Sequence, residues 1–201
     1  MSTVWYTSDL HFGHKKVSEI RGFETPEAHD LAITEEWRRV VTKKDIVYVL
    51  GDLTLGPSAR ALQIIRELPG TKHFIAGNHD EVHPAHKTAT SRIVTENWYR
   101  SFASVHPFLK KTLNHMPVLL SHFPYSDWGD GESREGSRYD QYRLPDKGLP
   151  LLHGHTHGRE QAHTGWSGEA HMLHVGWDAW GTLVPQETVV EWLMSIHGGN
   201  R

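Results

Sequence analysis

Hydrophobic residues in the chain fall into short β-branched or aromatic runs that alternate with amphipathic stretches. Val4-Trp5-Tyr6-Thr7 is one such run, broken at Ser8-Asp9, and it predicts a strand ending at Asp9. Thr25-Pro26 sets an N-cap before a proline at the first helical position. A helix is expected from there to about Val41, with Leu31, Trp37, Val40 and Val41 on its apolar side. Ile46 to Leu50 is a continuous apolar run, the pattern of a strand buried on both faces, and it ends at Gly51-Asp52. Pro57 opens a second helix, in which Ala61, Ile64, Ile65 and Leu68 share one face, and Pro69-Gly70 stops it. Lys72 to Ala76 predicts a third strand, ending at Gly77-Asn78. Strand and helix alternating in this way imply a parallel sheet with right-handed crossovers.

Residues 86–100 read as helical. Phe108–Leu113 and Val118–His122 read as a strand pair joined around Asn114-His115-Met116-Pro117. Tyr125 to Gly148 is polar and aperiodic, and loops of that length are usually functional or disordered. Leu149–Leu152 predicts a strand ending at His153-Gly154-His155, and His171–Val175 and Thr182–Val184 predict late strands. Pro185 opens a final helix with Val189, Trp192, Leu193 and Ile196 on one face. No internal repeat or interdomain linker interrupts the pattern, so the 201 residues read as one domain.

Composition narrows the function. The net charge of −3 argues against binding nucleic acid through a basic surface, which needs many Lys and Arg to displace counterions. Cys is absent, which removes disulfides, Cys-ligated zinc, iron–sulfur clusters and thiol nucleophiles together. No apolar run approaches the ~20 residues of a membrane span. The first residues lack a basic region followed by an apolar stretch, so no signal peptide is expected and the cytoplasm is the expected location (a host cytoplasm for a phage protein). The 17 His nearly match the 21 Lys plus Arg, so their placement matters.

Asp9 and His11, Asp52, Asn78 and His79, His122, and His155 and His157 each lie just past the end of a predicted strand. In an open α/β sheet that edge is where ligands bind. Five distant segments therefore deliver two Asp, one Asn and five His to one place, a donor set suited to Mn²⁺, Fe²⁺ and Zn²⁺. Each piece alone has an ordinary reading as a turn Asp or surface His. The Gly77-Asn78 pair fits a turn needing positive φ. Gly154-His155-Thr156-His157-Gly158 is more specific, because alternate residues of an extended loop point the same way.

The ordered motifs Asp9-x-His11, Gly51-Asp52, Gly77-Asn78-His79-Asp80, His122 and Gly154-His155-x-His157 resemble those of the calcineurin-like metallophosphoesterases over residues 3 to about 190. Val175-Gly176-Trp177-Asp178 and the Pro185 helix are similar to the closing segment of that family, and the opening Ser8 to His14 is most similar to its small stand-alone bacterial and phage members. The resemblance implies a four-layer αββα sandwich of two mixed sheets flanked by helices. It implies two divalent metal ions, Mn²⁺ first, with Fe²⁺, Zn²⁺ or Ni²⁺ also compatible. Asp9, His11 and His157 would hold one ion, Asn78, His122 and His155 the other, and Asp52 would bridge them. A metal-bound hydroxide would then attack phosphorus. His79 would act on the leaving group or on transition-state charge, with Asn78 beside the substrate. Apart from the resemblance, His14 lies three residues beyond His11 and either faces the substrate or caps the following helix. Asp80 reads equally as the group that orients His79 and raises its pKa, or as a loop cap.

Many members carry an Arg shortly after the Gly-Asp motif, and none stands there before Arg60. A dianionic monoester needs such a bidentate clamp more than a diester does. The expected activity is therefore hydrolysis of phosphodiesters in small nucleotide or cyclic-nucleotide-like substrates. The alternatives are a phosphomonoesterase or phosphoprotein phosphatase, a nuclease (disfavoured by the charge), or a non-catalytic scaffold of the same fold. His153, His171 and His174 read as structural or supporting residues. His29, His83, His86, His106, His115, His163 and His197 read as surface or loop residues. Arg134, Arg138, Tyr139, Tyr142 and Arg143 either hold phosphate and stack on a base or form a solvated loop. The sequence leaves the oligomeric state undetermined.

Overall fold

A computed structural model describes residues 2–126, 138–164 and 171–198. β1 (Val4–Thr7), β2 (Ile46–Val49), β3 (Thr71–Ile75) and β4 (Ser104–His106) run parallel in the order β1-β2-β3-β4. β10 (Val184–Pro185) adds antiparallel to the outside of β1. The second sheet has the order β5-β6-β7-β9-β8, from β5 (Phe108–Leu113), β6 (Met116–Ser121), β7 (Leu151–His153), β9 (His171–His174) and β8 (Ala162–Thr164). Its central pairs β6-β7 and β7-β9 are parallel and its outer pairs antiparallel, so both sheets are mixed, as expected.

The helices explain the apolar runs. α2 (Pro26–Val40) starts where Thr25 Oγ1 accepts the Ala28 N–H at 3.1 Å. Its Ile33 and Trp37 pack with Ala61 and Ile65 of α3 (Ala59–Glu67) and Trp98 of α4 (Arg92–Ser101) on Val47, Val49 and Phe74 of the first sheet. The other face of that sheet presents Tyr6, Tyr48, Leu50 and Ile75. These meet Val118, Leu120, Leu152 and Leu173 of the second sheet, and Val189 and Leu193 of α6 (Gln186–Gly198) join the same core. Beyond the second sheet, Leu151 and Met172 pack with Tyr125. The chain is thus two mixed sheets face to face, flanked by helices.

Three elements were not read from the sequence, β4, β8 and α5 (Trp177–Trp180), and α1 (Lys15–Ile20) is anticipated only as the helix after His14. At three to six residues they are too short to show a period, and tertiary pairing defines them. Pro185 lies in β10 opposite Trp5 rather than opening the last helix, which begins at Gln186. Proline fits there because β10 is an edge strand. Asn114 and His115 both have positive φ, 47° and 65°, the geometry of a two-residue hairpin turn between β5 and β6. Among the described residues no helix is long and apolar enough to cross a membrane.

Candidate metal centre

The site forms where both sheets present their C-terminal edges. The loop after β1 is bonded to the loop after β2: Asp9 N donates to Gly51 O at 3.0 Å and His11 N to Asp52 O at 3.1 Å. Within the second sheet Gly154 N donates to His122 O at 2.9 Å, and across the sheets Trp177 N donates to Ser8 O at 3.0 Å. Five strand ends are therefore stitched around one spot.

The expected ligands converge there in two triads, Asp9 with His11 and His157, and Asp52 with His122 and His155, each with ligand atoms within 4.8 Å of one another. His11 Nε2 lies 3.2 Å from His157 Nε2, and His122 Nε2 lies 3.2 Å from His155 Nδ1. Asn78 Oδ1 is 3.1 Å from His122 Nε2, which adds it to the second group. Asp52 lies between the groups. Its Oδ2 is 3.7 Å from His11 Nε2 and its Oδ1 3.4 Å from His122 Nε2.

Neighbouring groups aim these ligands. His122 Nδ1 donates to the Leu50 carbonyl at 2.8 Å, which leaves Nε2 with its lone pair toward the centre. His157 Nδ1 donates to Asp178 Oδ2 at 2.8 Å, and Asp178 is held by Arg21 through Nε at 2.9 Å and Nη2 at 2.6 Å. Arg21 also donates to the Asp9 carbonyl at 2.8 Å. Asp9 Oδ2 accepts from Ser8 Oγ at 2.7 Å and from His155 N at 3.0 Å. His86 Nε2 lies 2.7 Å from the Asn78 carbonyl. Asp178 and Arg21 were missed as functional residues. Asp178 was visible only as part of a family-like segment, and Arg21 carries no motif.

The backbone at the site is strained. Asp9, His11, Asp52, His155 and His157 all have positive φ, between 47° and 71°. Each such non-glycine residue costs roughly 1–3 kcal/mol. Gly77, expected to need positive φ, does not have it. It is glycine because a Cβ would overlap Asp52 Oδ1 and lie 2.6 Å from Asp52 N. Gly154 serves the same purpose, since a Cβ there would overlap Ser8 Oγ and Asp9 Oδ2. Close approach of the ligand loops, not turn geometry, demands these two glycines.

Asp80 is bonded to the backbone of the ligand loops. Its carboxylate accepts three backbone N–H groups, from Gly77 at 2.7 Å, Asp52 at 2.9 Å and Leu53 at 3.0 Å. It ties the third-strand loop to the second-strand loop, which is what the loop-cap reading of Asp80 describes. Burial, with His122 and Arg138 nearby, brings the His79 imidazole down to about 4.

The electrostatics fit cations. Burial and the neighbouring Asp9 push Asp52 well above the usual carboxylate range. Burial opposes ionisation of Asp9 too, but His157, His122 and His11 overcome it and hold Asp9 low. Two buried carboxylates facing five imidazoles are poorly compensated by one another. Divalent cations between them satisfy both, and the nitrogen and oxygen donors suit Mn²⁺, Fe²⁺ or Zn²⁺.

A cleft of about 520 Å³ opens on this centre, lined among others by His11, Asp52, His79, Arg138, His155 and His157. His79 Nε2 lies 3.9 Å from Asp52 Oδ2 with its side chain one-third exposed. His14 both lines the cleft and caps α1, its Nδ1 accepting the Val17 N–H at 3.0 Å. Arg60 is turned away, bonded to Asp30 at 3.1 Å and Glu27 at 3.3 Å. His153 and His174 are buried and stacked at 5.3 Å behind the metal ligands. His29 and His83 are buried rather than superficial. His29 lies 2.9 Å from Arg21 Nη1 and 3.3 Å from Asp30 Oδ1, and His83 packs edge-on against Phe123 and Tyr142. Arg134 lies outside the described residues.

Comparison with known proteins agrees with this geometry. The model of the calcineurin-like phosphoesterases matches residues 2–159. The chain is 42% identical to the Gene 66 protein of Mycobacterium phage D29, over 99% of this chain and all of that protein. It is 39% identical to the Gene 66 protein of Mycobacterium phage L5, over 98% and 97% of the two chains. Among solved structures, a protein of unknown function from Aquifex aeolicus superposes with a TM-score of 0.68 at 19% identity, covering 96% of this chain and all of that one. With its matched span taking in every ligand position, this chain belongs to the calcineurin-like phosphoesterase family.

Proposed function

We propose that the protein hydrolyses phosphodiester bonds in small, nucleotide-like substrates at a centre of two divalent cations. Asp9, His11 and His157 would hold one ion and Asn78, His122 and His155 the other. The observation that carries the reading is Asp52, whose two carboxylate oxygens each face a different triad, at 3.7 Å and 3.4 Å from the nearest imidazole. A pair of cations needs a shared anion between them, and this carboxylate is placed to be one. When bound, such a pair supplies the charge that polarises the phosphoryl group and activates water.

The chain's own residues do the rest. Asp178 and Leu50 O fix the His157 and His122 rings, so ligation needs no reorganisation. His79, at the cleft and 3.9 Å from Asp52, donates a hydrogen bond to the leaving oxygen and stabilises its developing charge. Arg60, engaged with Asp30, gives no bidentate clamp for a dianion, which supports the diester over the monoester. The cleft is sized for a small molecule. Mn²⁺ is the first metal to test, and the phage relatives support a host-cytoplasmic setting. The test is turnover of bis(p-nitrophenyl) phosphate and p-nitrophenyl phosphate by Mn²⁺-loaded protein, with a chelated control. Faster metal-dependent release from the diester is expected; release unaffected by chelation, or from neither ester, contradicts the reading.

A further inference from the structure

Arg138 lines the cleft together with His79 and Asp52. Tyr139 follows it in the left-handed conformation, with φ 64°. The Tyr139 ring lies 5.6 Å beneath the Arg138 guanidinium and 5.7 Å from Phe123. Phe123 in turn packs at 5.0 Å on His122 and 4.9 Å on His155. The turn carrying Arg138 is thus seated directly on the rings of two proposed metal ligands.

A second arginine fixes that turn. The Arg143 side chain is fully buried, its guanidinium 5.5 Å over Phe123, and its Nε donates to the Arg138 carbonyl at 3.0 Å. Burying a guanidinium is costly unless it is paired and hydrogen-bonded, and Arg143 Nε also lies 3.7 Å from Asp140 Oδ1. Here it holds the backbone of the residue that faces the cleft. Arg60 is bonded to Asp30 and Glu27, and Arg138 reaches the cleft beside Asp52 from the segment between β6 and β7.

Resting on the phosphoesterase reading above, we propose that Arg138 binds a non-bridging oxygen of the substrate's reacting phosphoryl group, and that Arg143 is the residue that positions it. The guanidinium suits a single phosphoryl oxygen because it is always charged, and one such bond serves a monoanionic diester without the bidentate clamp of a dianion.

The test uses the Mn²⁺-loaded protein and two readouts. The first is titration with inorganic phosphate, which needs no turnover. The second is kinetics on bis(p-nitrophenyl) phosphate. Arg138→Gln should weaken phosphate binding on the order of 10- to 100-fold, the value of a charge-assisted bond. It should raise KM for the diester similarly, with kcat and metal content nearly unchanged. Arg143→Met should reproduce the KM effect and Arg143→Lys should recover part of it. In the Arg138→Gln/Arg143→Met double variant the two losses should not multiply. If wild-type protein turns over neither ester, the phosphoesterase reading fails while the phosphate titration still decides on Arg138. Phosphate binding by Arg138→Gln within twofold of wild type overturns the proposal, and multiplying losses in the double variant overturn the role of Arg143.

Discussion

Asp178 is not among the expected metal ligands, yet it is hydrogen-bonded to one of them. Its Oδ2 accepts from His157 Nδ1 at 2.8 Å, and both its oxygens accept from Arg21, at 2.9 Å and 2.6 Å. Asp178→Ala removes all three bonds. The His157 ring then loses its orientation and part of its basicity, an effect worth about 10- to 100-fold in metal affinity, or roughly 1.4–2.7 kcal/mol. Arg21 keeps neutral acceptors in the carbonyls of Asp9 at 2.8 Å and Leu10 at 3.4 Å. The metal-free protein should therefore lose about 2–3 kcal/mol, less than the ~3–5 kcal/mol of a wholly orphaned buried charge. For a chain of this size that is a fall in Tm of roughly 5–10 °C. Calorimetric titration of apoprotein with Mn²⁺ resolves the two sites, and melting in chelator gives the stability. One site should weaken 10- to 100-fold while the other stays within about threefold. Equal weakening of both sites, or of neither, would refute the idea that Asp178 acts through His157.

His79→Ala should abolish most turnover while leaving Tm and the metal content unchanged, whereas Asp80→Asn should lower Tm by several degrees and loosen metal at the Asp52 side; the reverse pattern would support the orienting role for Asp80. Gly154→Ala forces a Cβ into Ser8 Oγ and Asp9 Oδ2. It should cost about 1–3 kcal/mol and reduce metal binding, as melting and metal analysis would register. Asp45 accepts from Thr3 N at 2.8 Å and Thr42 N at 2.7 Å. Burial tends to raise its pKa, but these donors prevail and hold it below the usual value. A depressed carboxylate stabilises fully above its unfolded pKa of about 3.9 and loses that contribution as pH falls through the folded value. Asp45→Asn should melt lower than wild type at pH 7, with the gap closing as the pH drops below about 4. A gap that persists in acid would rule out the carboxylate charge as its source.

The parts of the fold legible in the sequence were those with a period or a strong stop. Thr25-Pro26 opened α2 as expected, and the Ile46 and Lys72 runs became β2 and β3. The ligand set was legible for a different reason: each member follows a strand end, so its position encodes its destination. The roles of supporting residues were not legible. Asp80 stands next to His79 in the chain, but its carboxylate turns to backbone N–H groups across the loop, and adjacency in sequence does not set side-chain direction. Arg21 and Asp178 meet across 157 positions, and no local pattern links them. Gly77 looked like a turn residue and proved to be a steric one, which only the approach of Asp52 reveals.

The central claim is the pair of cations sharing Asp52. It is tested most directly by a crystal structure of the Mn²⁺-loaded protein with diffraction recorded at the manganese edge. Two anomalous peaks about 3.5–4 Å apart, one against Asp9, His11 and His157, the other against Asn78, His122 and His155, with a carboxylate oxygen of Asp52 on each, are expected. A single peak, or peaks that leave Asp52 without contact, would contradict the account.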